Sequence, residues 1–293
     1  MPSPLPPSLP AITLDPLLRQ WLQEDIGRGD WSSAGLGPGA LATAQAHWVA
    51  KAAGVVAGLP VAARGLTLLD EAVSFTALVP EGATCAPNTP IAHLTGPLAS
   101  LLMGERVALN LAMRLSGIAT ATRQYVEALA DYPAQFVDTR KTTPGLRLLE
   151  KYASRVGGAI NHRLGLDDAV MLKDNHIAAL GGVRAAVAQV RQTMPYPLRL
   201  EVEVASLAQV EEALTCPIDI IMLDNMAVPT MATAVQRLRQ AQPHLTIEAS
   251  GNVSLATLGA IAATGVDFIS SSGPITRAPW LDISMRLLTE GLD

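Results

Sequence analysis

The chain has 293 residues, of which 49% are hydrophobic, 16% charged and 4% aromatic; this excludes a disordered polypeptide and fits one large α/β barrel or two unequal domains. A net charge of −5 offers no basic footprint for nucleic acid, and the apolar runs break well before the ~20 residues of a membrane span. Residues 1–10, MPSPLPPSLP, lack the basic and apolar regions of a secretory signal and read as a flexible Pro-rich arm. Residues 11–24 repeat their apolar positions at helical period, and the Gly/Asp-rich loop EDIGRGDWSS follows. Short β-like runs bounded by Gly and Pro occupy 42–51, 54–58, 73–82 and 89–97, with a helical segment at 59–70. A long helix is expected over about 98–130, where Leu101, Leu102, Val107, Leu109, Leu111 and Leu115 keep helical spacing. Cys85 and Cys216 show no metal-ligand spacing and read as free buried thiols of a cytoplasmic protein.

After residue 133 the texture changes. Apolar strands are expected at 134–139, 168–173, 198–204, 218–224, 245–250 and 266–271, with helix-like segments between them. Alternation of β and α implies parallel strands joined by right-handed crossovers. A closed eight-stranded barrel needs ~250 residues, more than remain, so an incomplete barrel of about six strands is expected.

Each strand ends in polar residues. In a parallel barrel those ends share one rim, where active sites sit. The first gives Asp138, Arg140 and Lys141; the second Lys173, Asp174 and Asn175. The third carries Glu201 and Glu203, the fourth Asp224 and Asn225, the fifth Glu248 and Ser250, the sixth Ser270 to Gly273. Arg140, Lys141, His162, Arg163 and Lys173 form a cationic set in a net-acidic chain, which calls for an anionic ligand. Glu203 and Asp224, on neighbouring strands, suit Mg²⁺, sugar hydroxyls or ion pairs with the nearby cations. Ser250-Gly251-Asn252 and Ser271-Ser272-Gly273 are small-residue turns whose backbone N–H groups can approach a phosphate. His176, at a strand exit, suits either orienting its turn or touching ligand; His47, His93 and His244 read as structural or surface residues. The chain has 17 Arg but only four Lys, at 51, 141, 151 and 173; where Lys persists, a compact ammonium is the expected requirement.

The segment DTRKTTPGLRLLEKYASRVGGAINHRLGLDDAVMLKDNHI resembles the signature region of the quinolinate phosphoribosyltransferase family. EDIGRGD, GERVALNLAMRLSGIAT, LEVEV, IMLDN, EASGNV and LDIS extend that resemblance collinearly from residue 24 to 284. It implies an N-terminal α/β sandwich-like domain (1–116 with 276–293) and a C-terminal open α/β barrel (117–275). It also implies a homodimer whose sites are completed across the interface. The implied reaction joins quinolinate to phosphoribosyl pyrophosphate, giving nicotinate mononucleotide, CO₂ and pyrophosphate with Mg²⁺, in NAD biosynthesis.

By the same resemblance Arg106 reaches in from the partner subunit, and Arg140, His162, Arg163 and Lys173 surround the dicarboxylate. Lys141, Glu203 and Asp224 carry the catalysis, Glu203 and Asp224 facing the ribose and Mg²⁺. Ser250, Gly251, Asn252, Ser271, Ser272 and Gly273 hold the 5′-phosphate. In two places the chain departs from the family pattern. Trp31-Ser32-Ser33 stands where Thr residues are usual, and SSSGPITR lacks a Gly usually found one position earlier. Of the rivals, a nicotinate-using phosphoribosyltransferase needs fewer cations. A non-catalytic anion-binding relative is expected to have lost the KDNH turn or Glu203. A phosphate-binding barrel isomerase leaves DTRKT and NHR unexplained.

Overall fold

The computed structural model describes residues 9–288, so all of the expected Pro-rich arm except Leu9 and Pro10 lies outside the described residues. Two units emerge. The first holds the residues up to Ala121, Arg155–Gly158 and those from Ala278 on; the second holds Thr122–Ser154 and Ala159–Arg277. The sequence-based division falls at 116/117 and 275/276. The first boundary lies further along the long helix, past the buried Ile118 and Ala119.

The first unit opens with α1 (Ala11–Ile26), whose Leu14, Leu18 and Leu22 are buried one turn apart. Next come α2 (Trp31–Ala34), capped by the Asp30 side chain, β1 (Thr43–Ala50), β2 (Gly54–Val55) and α3 (Leu59–Leu69). β3 (Ser74–Ala77), β4 (Thr84–Cys85), β5 (Thr89–Pro97) and α4 (Leu98–Glu127) follow. β1 lies between β5 and the C-terminal strand Ile283–Leu287, and β3 pairs the far edge of β5, all antiparallel. β2 and β4 form a separate two-stranded pair. Trp48, Leu59, Leu66, Ile91, Leu94, Leu101 and Leu109 make the core of this unit. A side chain at Gly117, inside α4, would collide with the carbonyl of Pro279, so the close approach of that segment requires glycine.

The second unit runs β6 (Gln135–Val137), α5 (Arg147–Gly157), β7 (Val170–Leu172), α6 (Asp174–Leu180), α7 (Val183–Arg191) and β8 (Leu200–Val204). It continues with α8 (Leu207–Leu214), β9 (Ile220–Asp224), α9 (Val228–Ala241), β10 (Thr246–Ser250), α10 (Leu255–Ala262), β11 (Phe268–Ser270) and α11 (Gly273–Thr276). The six strands are parallel in the order β6-β11-β10-β9-β8-β7, the open α/β barrel that the alternating pattern predicts. Alternation sends Leu200, Val202, Val204, Ile221, Leu223, Ile247 and Ala249 into the helix-covered core. α6 stands where the sequence shows only a KDNH turn, and α11 resolves the helix-or-turn choice after Ser272 in favour of a helix; at seven and four residues they carry too few periods to show.

Candidate active site

The other face of the barrel sheet holds the polar residues, and its register stacks them in levels. Met171, Glu201, Ile220 and Thr246 share one level; Glu203, Met222, Glu248 and Phe268 share the next; Asp224 and Ser250 lie together at the strand exits. Glu201 and Glu248, grouped with the rim residues from sequence, are therefore interior groups, 2% and 4% exposed. Strand period fixes the face of a residue, but its depth depends on where the strand starts.

His162 lies between these two carboxylates, its Nε2 3.2 Å from Glu201 and 3.5 Å from Glu248. Burial opposes its charge, but hydrogen bonds to the two glutamates push the imidazole up to about 10, which favours imidazolium. Nδ1, however, accepts the Arg163 backbone N–H at 2.8 Å. Two N–H groups cannot face each other at that distance, so the bond decides: the ring proton sits on Nε2 between the glutamates. His162, Glu201 and Glu248 are close enough to share a metal ion, all donors lying within 4.8 Å, but a protonated Nε2 has no lone pair to give. Burial, and then the neighbouring Glu248, push the Glu201 carboxyl up. These three residues line a cavity of about 320 Å³ together with Arg163, Asp168 and Arg199.

Arg163 turns its guanidinium to the Ala169 carbonyl at 2.8 Å and Met171 Sδ at 3.6 Å. Both His162 and Arg163 are thus held by the protein itself. Arg140 is half-buried, and its Nε is buried without a protein partner. Lys173 donates to Glu203 Oε2 at 2.9 Å. His176 Nδ1 accepts the Lys173 backbone N–H at 3.0 Å, so His176 orients its turn.

A second cavity, of about 450 Å³, lies at the strand exits. Lys141, Ser250, Gly251, Asn252, Ser271 and Ser272 line it, with Thr139, Ser254, Thr276 and Arg277, which the sequence reading missed. Arg277 follows the SSSGPIT turn at once, a cation beside a small-residue turn that was readable as a phosphate partner. Gly251 has φ 84°, and a side chain there would collide with Asn225. Asn225 and Asn252 are themselves left-handed, at φ 52° and 53°. Asn252 Nδ2 donates to Asn225 Oδ1 at 3.1 Å, and the Asn225 N–H donates to the Ser250 carbonyl at 2.9 Å. The Ser271 hydroxyl donates to the Val253 carbonyl and accepts the buried Gly273 N–H, holding its turn shut.

Asp224 accepts from its neighbour Asn225 through Oδ2. Oδ1 of Asp224 and Oε1 of Glu203 have no hydrogen-bond partner among the described residues; both are hard oxygens of the type Mg²⁺ takes beside substrate phosphates. Arg106 belongs to the first unit, exposed on α4; the other candidate residues all belong to the second unit, and Arg140, Lys173, Glu203, Asp224 and Gly273, like Arg106, line neither of these two cavities.

Residues 34–116 match the N-terminal domain of quinolinate phosphoribosyl transferase, and residues 118–286 match its C-terminal domain. The chain is 63% identical over 287 residues to a probable nicotinate-nucleotide pyrophosphorylase [carboxylating] of Synechocystis sp., covering 98% of this chain and 97% of that one. It is 40% identical over 286 residues to the human nicotinate-nucleotide pyrophosphorylase [carboxylating], covering 96% and 94%. The crystal structure of NadC from Streptococcus pyogenes superposes with a TM-score of 0.91 at 42% identity, covering 96% of this chain and 99% of that one. The chain belongs to the quinolinate phosphoribosyltransferase family.

Proposed function

We propose that this protein transfers the phosphoribosyl group of phosphoribosyl pyrophosphate to quinolinate and decarboxylates the product, giving nicotinate mononucleotide, CO₂ and pyrophosphate for NAD biosynthesis. The observation that carries this reading is the match to both domains of the family, together with DTRKT at the exit of β6, KDNH at the exit of β7, and NHR just after Ile160, which bridges to Val137 of β6. No helix among the described residues is long and apolar enough to cross a membrane; the reading places the enzyme in the cytoplasm.

The pyridine nitrogen attacks ribose C1, and the C1–O bond to pyrophosphate breaks with its electrons leaving on oxygen. Positive charge gathers on the sugar, and Glu203 and Asp224 are the carboxylates assigned to stabilise it. Lys141 and Arg277 bracket the small-residue turns that receive the 5′-phosphate. The bond from C2 to its carboxylate then breaks, CO₂ leaves, and the electron pair remains on C2 beside the cationic ring nitrogen until a proton replaces it. Arg140, His162, Arg163 and Lys173 receive the two carboxylates, His162 and Arg163 being held in place by their own hydrogen bonds. Glu203 and Asp224 are the residues that would hold Mg²⁺, which supplies charge neutralisation on the departing pyrophosphate. Arg106 comes from a second copy of the chain in a homodimer.

Purified protein with Mg²⁺, phosphoribosyl pyrophosphate and either quinolinate or nicotinate tests this reading. Nicotinate mononucleotide and CO₂ are expected from quinolinate alone. Product from nicotinate alone would overturn the assignment of the cationic residues, and product from neither would overturn the reaction.

A further inference from the structure

Lys151 is the one lysine of the 141–173 stretch that the site leaves without a role. It is 1% exposed, in a chain that otherwise uses Arg as its default cation. Its ammonium donates to Asp138 Oδ1 at 2.5 Å and to the His162 carbonyl at 2.7 Å. Asp138 is as deeply buried and accepts two further bonds, from the His162 N–H at 2.9 Å and from Asn161 Nδ2 at 2.6 Å. Asn161 Nδ2 also donates to the Lys151 carbonyl at 2.9 Å. Burial pushes the Asp138 carboxyl up and the Lys151 ammonium down, while their mutual attraction opposes both.

The neighbour of Lys151 on α5 completes the arrangement. Glu150, fully buried, accepts the N–H and the hydroxyl of Thr143, each at 2.8 Å. Two consecutive buried charges of one helix thus clamp the loop 138–143 at both ends, and Arg140 and Lys141 lie between the clamps. The Lys151 clamp also holds Asn161 and His162, next to Arg163. A buried ion pair is weak evidence for stability, because an apolar pair of similar size folds about as well. An apolar pair would lack directed bonds to two separate segments. An Arg fork is also the wrong shape, since the two acceptors of Lys151 are a carboxylate and a carbonyl on different segments.

We infer that Lys151, through Asp138, is a positioning residue that sets Arg140 and His162–Arg163 at the spacing a dicarboxylate needs. This rests on the reaction proposed above. Lys151 touches no substrate.

The test compares Lys151→Met, the paired change Asp138→Asn with Lys151→Met, and Asn161→Ala, in the full-length enzyme. Melting temperature, KM and kcat for each substrate, and the calorimetric Kd of quinolinate are measured. Hydrogen exchange of peptides covering 138–143 and 160–163 is followed in parallel. Lys151→Met is expected to lose stability, leaving Asp138 unpaired, and the paired change to regain much of it. In the paired variant KM and Kd for quinolinate stay raised by about 10- to 100-fold, the scale of a small misplacement of a binding group. KM for phosphoribosyl pyrophosphate moves much less. A paired variant that binds quinolinate like wild type would overturn the inference, as would equal rises in both KM values. If the paired variant does not fold, Asn161→Ala, which keeps the ion pair, carries the same expectation at smaller size. Faster exchange in both peptides is expected whatever wild type turns over. Unchanged exchange would overturn the positioning role, whereas inactive wild type overturns only the reaction.

Discussion

Lys173 Nζ lies 2.9 Å from Glu203 Oε2, tying the exit of β7 to the interior face of β8. One residue of the cationic set is therefore neutralised by one of the carboxylates assigned to the sugar. In the proposed reaction, a dicarboxylate entering the site would compete with Glu203 for that ammonium. Lys173→Met is expected to raise KM for quinolinate by about 10- to 100-fold, the worth of a charge-assisted hydrogen bond. Glu203→Gln instead lowers kcat, by about 100-fold, and raises the Mg²⁺ concentration needed for half-maximal rate. Steady-state kinetics at several Mg²⁺ concentrations separates the two.

Lys141 is exposed and lines the cavity at the strand exits. Lys141→Ala should change stability by less than about 0.5 kcal/mol, as exposed substitutions do. It should cost about 100-fold or more in turnover. Thermal melts with a turnover assay check both halves, and unchanged turnover would remove Lys141 from the chemistry.

Gly251 meets Asn225 both through its φ of 84° and through the space a side chain would need. Gly251→Ala is expected to cost about 1–3 kcal/mol of local strain and to raise KM for phosphoribosyl pyrophosphate while sparing that for quinolinate. Asn225→Ala should reproduce the kinetic part more mildly, since it removes the Asn252 contact but keeps the glycine.

Mixing Arg106→Ala with Lys141→Ala subunits tests completion of each site by a second copy. Each homodimer is expected to be inactive, while a mixed dimer regains one intact site in two. No recovered activity would count against a shared site.

In the first unit, the Ser100 hydroxyl donates to Asp70 Oδ2 at 2.5 Å and, with the Ala72 N–H, holds the Asp70 carboxyl below its ordinary 3.8. A depressed carboxyl stabilises above its unfolded pKa and loses that contribution as pH falls through the folded one. The melting-temperature gap between wild type and Ser100→Ala should therefore be present at pH 7 and close well below pH 3.8.

The six barrel strands were legible because parallel strands buried by helices read as short apolar runs: DAVMLK yields β7, and LRLEVEV yields β8. Their exits were legible too, since polar residues follow each run. Depth and ring orientation were not. His162 is adjacent to Arg163 in sequence, and nothing local shows that its ring turns to glutamates 39 and 86 residues further on. Lys151 fell on a helix whose pattern gives no reason to bury a charge; its partner Asp138 is fixed by the end of a strand in another segment. β4, at two residues, is below any pattern.

The open barrel also has a free margin to dispose of. β6 and β7 end the sheet, and neither pairs with the other. Ile160 forms a parallel bridge with Val137, giving its N–H to the Phe136 carbonyl at 2.9 Å and taking the Asp138 N–H at 3.2 Å. The stretch that carries Asn161, His162 and Arg163 is thus also a cap on what would be a sticky strand edge, the kind of template on which chains add to one another. Variants that loosen this stretch face a colloidal penalty besides a kinetic one: with the strand edge uncovered, they are expected to self-associate on storage.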